Sequence, residues 1–156
     1  MSKLRPPSPA TARHIKQHCL CLHTQRAARA LARRFDDAFR PLRLTNGQFS
    51  LLMSLNRSEP PSLGSTATLL CMDRTTLTAL LKPLLRRELV SIAVDATDRR
   101  SRRLALTRAG KLLLARALPI WQRVHADVEA LLEDGTFLRE GLRVLSNGPT
   151  RPASCS

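Results

Sequence analysis

The stretch from Thr11 to Phe39 contains neither glycine nor proline, and this constrains the fold more than any other feature of the sequence. Apolar residues recur along it at intervals of three or four in two series: Ile15, Cys19 and Leu22, then Ala27, Leu31, Phe35 and Ala38. The pattern predicts one long amphipathic helix. Because the residue before a proline disfavours the helical conformation, we expect the helix to end before Pro41.

Aromatic residues are scarce, and this bears on the kind of core the chain can build. Hydrophobic residues make up 43% of the sequence, but aromatic residues make up only 3% and tyrosine is absent. The core must therefore consist mainly of leucine and alanine, which favours packed helices over a β-sandwich.

Downstream of Pro41 the sequence predicts shorter elements with recognisable ends. Thr45 and Asp73 precede helices as N-caps, and Gly135 ends one. The predicted helices cover residues 46–55, with Phe49, Leu52 and Met53 buried, 63–70, 74–87, 107–133 with a kink near Pro119, and 136–145. Strands over 89–94 and 103–106 enclose a polar loop and form a hairpin. The predicted fold is mainly α with a small β-hairpin.

This order of elements indicates one domain with a winged helix-turn-helix at about residues 45–106. Helices over 12–40 and 107–145 flank it, and the second carries a broad apolar stripe that nothing within one chain is left to cover. We therefore expect a homodimer formed through these flanking helices. Residues 1–11 are predicted to be a disordered arm and residues 146–156 a flexible tail.

The charge of the chain predicts a polyanionic partner. Lys and Arg number 26 against 12 Asp and Glu, which gives a formal net charge of +14. Such an excess repels itself unless an anion compensates it, and arginine suits phosphate and guanine. The alternative is a generic basic surface.

The sequence predicts a cytoplasmic protein outside the membrane. It has no apolar run of about 18 residues, and its first residues lack the apolar core of a signal peptide. Its four cysteines, Cys19, Cys21, Cys71 and Cys155, are expected to be reduced.

The predicted 74–87 helix has the composition of a recognition helix. Leucines supply its core face, which leaves polar residues to face outward: Arg74, Thr75, Thr76, Thr78 and Lys82. Arginine and lysine suit guanine and phosphate, and threonine suits base edges and thymine methyls. These residues are our candidate base contacts, and double-stranded DNA is the predicted partner.

The hairpin tip concentrates arginine. Arg99, Arg100 and Arg102 are candidates for phosphate or minor-groove contact, and Arg103 follows them. An ordinary solvated loop would carry such a charge run equally well, but its position after a helix-turn-helix favours a DNA contact.

Three segments resemble the MarR family of bacterial transcriptional regulators: LTNGQFSLL at 44–52, MDRTTL at 72–77 and DRRSRRLALTRAG at 98–110. The resemblance extends over about residues 15–145. It implies a winged helix whose terminal helices pair across a two-fold axis. It also implies repression of a nearby operon from a pseudo-palindromic operator, relieved by a small ligand or by thiol oxidation.

Two turns and one helix depart from the family pattern. Cys71 and Glu88 stand where the family commonly has glycine, and a positive φ there costs roughly 1 kcal/mol each, so we expect these turns to adjust. Pro83 is expected to bend the recognition helix or to remove one of its hydrogen bonds.

Sensing has two candidate sites. An effector pocket between the dimer helices and the winged domain would be lined by Leu20, Leu31, Phe35, Phe49 and Trp121. The alternative is a thiol switch through Cys21 or Cys19, because Cys21 is spaced like the reactive cysteine of the organic-hydroperoxide sensors within the family. Those sensors hold the thiolate with tyrosines, which this chain lacks, so buried packing of Cys19 or Cys21 is favoured over the switch. On a continuous helix the two side chains point about 200° apart and cannot bridge each other.

Other classes of function have weaker support. His14, His18 and Cys21 share one helix face and could begin a metal site, but solvated histidines are favoured, and we expect neither metal nor cofactor. No arrangement of nucleophile, base and acid predicts an enzyme. A sequence-independent architectural DNA-binding protein is the remaining alternative, since a charge of +14 would suffice for it.

Overall fold

The computed structural model describes residues 5–147. Its helices are α1 (Pro9–His18), α2 (Leu20–Phe39), α3 (Asn46–Ser54), α4 (Leu63–Leu69), α5 (Arg74–Arg86), α6 (Arg108–Glu129) and α7 (Gly135–Ser146), with a 3-10 turn at Arg40–Leu42 after α2. Strands β1 (Val90–Val94) and β2 (Arg102–Leu106) form an antiparallel hairpin in which Ile92 pairs with Leu104. The predicted mainly α fold with a small hairpin is confirmed.

The predicted long N-terminal helix is broken at Cys19, which corrects the prediction of one helix over 11–39. Cys19 has extended backbone angles (φ −71°, ψ 106°), and its Sγ accepts a hydrogen bond from the Leu22 amide at 3.4 Å. The thiol thus acts as the N-cap of α2, and a cap residue must leave the helical conformation. The spacing of apolar residues predicted one continuous helix because a single extended residue hardly changes the intervals between the apolar residues on either side of it.

The boundaries of the predicted arm and tail also change. Ser8 caps α1, which begins at Pro9, so residues 9–11 of the predicted arm are helical. Ser146 is the last residue of α7 rather than the first residue of the tail. Residues 1–4 and 148–156 of those two predicted segments lie outside the described part of the chain.

Helix α6 ends earlier than predicted, at Glu129 instead of Glu133. The amides of Leu131 and Leu132 donate to carbonyls three residues back, at 3.1 and 3.0 Å, which tightens the last turn. Asp134 then caps α7 by accepting from the Phe137 amide at 2.9 Å. The proline at position 119 lies inside α6, which runs through it as one helix.

Three non-glycine residues have positive φ at turns that follow helices: Arg43 at 52°, Cys71 at 50° and Glu88 at 54°. The amide after Cys71 donates to the Ala67 carbonyl at 2.9 Å, and the amide after Glu88 donates to the Leu84 carbonyl at 3.0 Å. These bonds close helix C-termini and require the left-handed conformation. The expected adjustment of the two turns is therefore wrong, and both keep the backbone that favours glycine.

The core joins both flanking helices to the winged helix. Its fully buried hydrophobic side chains come from α2, α3, α5, β2 and α6: Phe39, Leu51, Leu52, Leu77, Leu84, Leu104 and Ala117. Met53, predicted to be buried, is 40% exposed. The buried face of α3 is centred on Leu51, Leu52 and Leu55, which turns Met53 outward.

The hairpin packs against the helix-turn-helix and the start of α6. The Leu104 amide donates to the Pro61 carbonyl at 2.9 Å, just before α4. A Cβ at Gly110 would lie 2.1 Å from the Leu89 carbonyl oxygen, so only glycine permits this approach of α6 to the hairpin. The wing is thereby held to the helices on either side of it.

None of the helices among residues 5–147 is long and apolar enough to span a membrane.

Candidate nucleic-acid interface

The buried face of α5 determines which of its residues face outward. Leu77, Leu81 and Leu84 are buried in the core, and Leu80 is half-buried against it. The five candidate base-contact residues of α5 are all exposed: Arg74, Thr75, Thr76, Thr78 and Lys82. A single polar surface therefore runs along the helix, next to the turn that joins it to α4.

Hydrogen bonds order the first turns of α5. The Asp73 carboxylate accepts from the Thr76 amide and from the Thr76 hydroxyl, both at 2.8 Å, and these bonds lower the pKa of Asp73. The Thr78 hydroxyl donates to the Arg74 carbonyl at 2.7 Å. Both threonines thus have fixed hydroxyls, which leaves the Thr78 methyl group for apolar contact.

Pro83 lies inside α5, which continues beyond it to Arg86. A proline in this position has no amide hydrogen to donate to the preceding turn. It lies near the C-terminal end of α5, away from the exposed threonines at the other end.

The wing loop is organised by one buried carboxylate, that of Asp95. It accepts from the Thr97 hydroxyl at 2.7 Å, from the Thr97 amide at 2.8 Å and from the Asp98 amide at 3.2 Å. It also pairs with the Arg103 guanidinium. These donors, the Thr97 hydroxyl above all, hold the pKa of Asp95 well below its usual range.

Arg103 differs from the other wing arginines. Besides its pairing with Asp95, its guanidinium donates to the Pro60 carbonyl at 3.2 Å, in the loop before α4. Arg99, Arg100 and Arg102 are exposed at the tip, and Arg102 donates to the Arg99 carbonyl at 3.1 Å. Arg103 therefore holds the wing to the helix-turn-helix, whereas the other three arginines remain exposed at the tip.

Sequence reasoning missed the role of Asp95. The signal was present, because an Asp followed two residues later by a hydroxyl residue is typical of a side-chain-capped turn. The pairing of Asp95 with Arg103, which lies on the opposite strand, could not be predicted from the sequence.

The five predicted pocket residues do not form one wall. Phe49 stacks between Phe39 and Trp121, with ring centroids 4.8 and 6.5 Å away, and Phe35 lies 6.0 Å from Phe39. Leu31 is exposed. Leu20 is 68% exposed and stands about 22 Å along α2 from Phe35, given a rise of about 1.5 Å per residue. Within one chain the structure brings together the three aromatic residues and leaves Leu20 apart.

The cysteines and histidines of the N-terminal helices are mostly exposed. The expected buried packing is wrong: Cys19 is only half-buried, and Cys21 is exposed and accepts from the Gln25 side-chain amide at 3.2 Å. Both are free thiols, as is Cys71. The rings of His14 and His18 stack at 4.3 Å. Among residues 5–147, no three side chains of the metal-binding types come together to hold an ion. Cys155 lies outside the described residues.

A helix-turn-helix with an exposed polar second helix, followed by an arginine-tipped hairpin, defines a winged-helix DNA-binding protein. The sequence model of the MarR family matches residues 44–101. The structure resembles that of the Mycobacterium tuberculosis transcriptional regulator MosR in complex with DNA, at 37% identity and a TM-score of 0.77, over 83% of this chain and 95% of that one. The chain belongs to the MarR family and is a DNA-binding transcriptional regulator.

Two further solved structures share the fold. The transcriptional repressor CouR, bound to a 23-mer DNA duplex, is 29% identical with a TM-score of 0.70 over 92% of this chain and 96% of its own. The Staphylococcus aureus MepR–DNA complex is 20% identical, with a TM-score of 0.70 over 81% and 93%. No curated protein sequence matches the chain.

Proposed function

We propose that this chain is a homodimeric, sequence-specific repressor that acts in the cytoplasm on a pseudo-palindromic operator and is released by a small-molecule effector. The observation that carries the proposal is the exposed polar face of α5 together with a wing that carries three exposed arginines. Arg103 holds this wing to the loop before α4. Arg74 and Lys82 would contact guanine or phosphate, and Thr75, Thr76 and Thr78 would contact base edges and thymine methyls.

The wing would supply affinity rather than sequence choice. Arg99, Arg100 and Arg102 would reach phosphates or the adjacent minor groove, where negative potential is concentrated. An architectural protein that ignores sequence could use the same wing, but it would not need the short polar side chains of α5. The proposal includes no catalytic activity, since the relatives are transcriptional regulators.

The effector site is proposed at the junction of α2, α3 and α6. Phe35, Phe49 and Trp121 lie together there, and Leu31 and Leu20 would be added from other parts of α2 or from the second copy. CouR from Rhodococcus jostii, a structural neighbour at 19% identity, has been crystallised with p-coumaroyl-CoA. That neighbour supports a small organic ligand as the class of effector, and an aromatic-lined junction suits an apolar one.

Base discrimination by α5 tests the proposal. We expect Arg74→Ala to reduce the preference for the selected operator over single-base variants by about 1–3 kcal/mol at particular positions. The matched control is Arg86→Ala, at the other end of α5, which should leave discrimination unchanged. The measurement is fluorescence anisotropy with an operator selected from random duplexes. Equal weakening on operator and random DNA would contradict the proposal and favour the architectural alternative.

A second candidate function is thiol-based redox sensing through Cys19 or Cys21. The observation in its favour is the break at Cys19, because the argument that the two side chains point apart assumed a continuous helix. Oxidation of the Cys19 thiol would also disturb the cap that begins α2. Under this alternative, an organic hydroperoxide releases DNA from the wild type and from Cys71→Ser but not from Cys19→Ser or Cys21→Ser. Equal release in all four proteins would exclude both cysteines as the sensor.

A further inference from the structure

The turn that ends the recognition helix is bound on one side to the first flanking helix. Arg87 follows the last residue of α5, and its guanidinium donates to the Arg43 carbonyl at 2.5 Å and to the Leu42 carbonyl at 3.2 Å. These acceptors lie 44 and 45 residues away along the chain, between α2 and α3. The planar guanidinium holds its donors in a fixed fork, so binding two neighbouring carbonyls determines its orientation as well as its distance.

The junction that holds Arg87 is itself fixed to α2. Leu42 and Leu44 are buried in the core. The Asp36 carboxylate of α2 accepts from the amide of Asn46, the first residue of α3, at 2.6 Å. The two carbonyls that bind the guanidinium are therefore held in place relative to the end of α2.

The other side of the same turn is bound to α6, the second flanking helix. The Thr107 hydroxyl donates to the Glu88 carbonyl at 2.7 Å, and the Thr107 amide donates to the Leu89 carbonyl at 3.1 Å. Thr107 also caps α6, because its hydroxyl accepts from the Gly110 amide at 3.0 Å. Residues 87–89 therefore connect the end of α5 to both flanking helices within three consecutive positions.

These bonds fix an angle that the core alone defines less sharply. Leu77, Leu81 and Leu84 bury one face of α5, but apolar packing is non-directional, whereas hydrogen bonds have preferred angles. At about 1.5 Å per residue, the 13 residues of α5 form a lever about 20 Å long. A tilt of about 5° at the turn would displace the Arg74 end by about 1.7 Å, which exceeds the range of N–H···O distances in a hydrogen bond, about 2.7–3.2 Å.

We propose that Arg87 is a positioning residue for operator recognition: it sets the tilt of α5 relative to α2 and thereby the half-site spacing that the dimer accepts. The inference rests on the proposed homodimer and its pseudo-palindromic operator, because the flanking helices of such a dimer form one frame for both copies of α5. Arg87 takes part in none of the ion pairs found among residues 5–147, and its guanidinium binds backbone carbonyls. It therefore acts on operator binding through α5 and not through a phosphate contact of its own.

Half-site spacing tests this role. An operator selected with the wild type is compared with versions whose centre is one base pair longer or shorter, which moves one half-site by about 3.4 Å and turns it by about 35°. Arg87→Ala removes both bonds, and Arg87→Lys keeps the charge but not the fork of donors. The matched control is Arg86→Ala, since Arg86 is an exposed neighbour that takes part in none of those ion pairs. Fluorescence anisotropy gives the dissociation constant of each protein on each duplex.

We expect the wild type and the control to bind the altered spacings about tenfold or more weakly than the selected one. Arg87→Ala should bind the selected spacing more weakly than the wild type does but lose less than about threefold on the altered ones, because its α5 can tilt to follow the half-sites. Arg87→Lys should fall between the two. The slope of log K against log salt should keep its wild-type value in Arg87→Ala, since no phosphate contact is lost. A ratio of two dissociation constants of one protein does not depend on the fraction that is folded, so lower stability cannot produce this pattern.

A wild-type ratio between the spacings in Arg87→Ala would overturn the positioning role and leave the proposed function standing. A salt slope lower by about 0.9 at an unchanged ratio would make Arg87 a phosphate ligand and would overturn the role equally. Where Arg87→Ala binds too weakly to measure, Arg87→Lys decides by the same ratio. A wild type that binds all spacings equally, or binds no selected duplex, would instead contradict the proposed dimer and its operator.

Discussion

Asp95 is a buried carboxylate at the point where the wing loop begins. Its carboxylate orders the loop through Thr97 and Asp98 and holds Arg103, which in turn reaches the Pro60 carbonyl. One side chain therefore influences both the shape of the wing and its attachment to the helix-turn-helix. We assign Asp95 the role of positioning the wing arginines.

Replacement of Asp95 should affect DNA binding as well as stability. Asp95→Ala removes both carboxylate oxygens that order the wing loop, so the wing arginines should lose their fixed positions. The slope of log K against log salt should then fall by about 0.9 for each phosphate that these arginines no longer contact. Asp95→Asn keeps one acceptor oxygen and should recover part of the slope. Glu59→Gln, an exposed carboxylate nearby, is the charge control. A variant that melts earlier but keeps the wild-type slope would contradict the positioning role.

The lowered pKa of Asp95 has a consequence for acid stability. A carboxylate whose pKa is lower in the folded chain stabilises it fully above the unfolded value, near 3.8, and progressively less as the pH falls below that value. The difference in Tm between the wild type and Asp95→Asn should therefore be constant near neutral pH and shrink below about pH 4. Thermal melting across this range measures it, and a constant difference down to about pH 2 would be inconsistent with this cause.

Cys71 and Glu88 hold the backbone at positive φ, where a glycine would be less strained. Glycine has no Cβ to clash in the left-handed region, so Cys71→Gly and Glu88→Gly should each raise the free energy of unfolding by about 0.5–1 kcal/mol. Ala115→Gly, on the exposed side of α6, should lower it by about 1 kcal/mol. Urea unfolding provides the comparison, and destabilisation by all three would show that strain at the turns is negligible.

The wing acts as an element, and its four arginines should not be equivalent. Arg99, Arg100 and Arg102 are exposed, so substitution of each by alanine should reduce the salt slope by about 0.9 if it removes one phosphate contact. Arg103→Ala should also lower thermal stability, because it breaks the link between Asp95 and Pro60. Arg57→Ala, in the loop after α3, is the control. An unchanged slope in the three tip variants would place the hairpin away from DNA.

Most elements could be predicted from the sequence because their signals are local. Thr45 and Asp73 each accept a hydrogen bond from a backbone amide at the start of a helix, as their positions before periodic apolar residues predicted. The outward face of α5 could be predicted for the same reason, since its leucines recur at helical spacing. The break at Cys19 could not, because cysteine is an uncommon N-cap and no glycine or proline marks the site.

The protein should bind DNA as a homodimer. Light scattering at micromolar concentration should give twice the 17.4 kDa mass of the chain, because α1 and α7 bury none of their residues within it. Two recognition helices would then lie about 34–36 Å apart, one turn of DNA. Insertion of about five base pairs at the operator centre turns the half-sites to opposite faces and should abolish tight binding. Equally tight binding of one chain to an isolated half-site would refute the dimer.

Local sequence patterns were enough to predict the helical class, the helix starts at Thr45 and Asp73 and the polar face of α5, since each depends on neighbours within about four residues. Which side chains belong to the core and which remain at the surface depends on tertiary packing. Arg103 pairs with Asp95 and donates to the Pro60 carbonyl instead of remaining free like the other wing arginines. Phe49 stacks on Trp121, and Met53 is exposed. These outcomes depend on contacts between residues far apart in the chain, whose geometry exists only once the helices have packed.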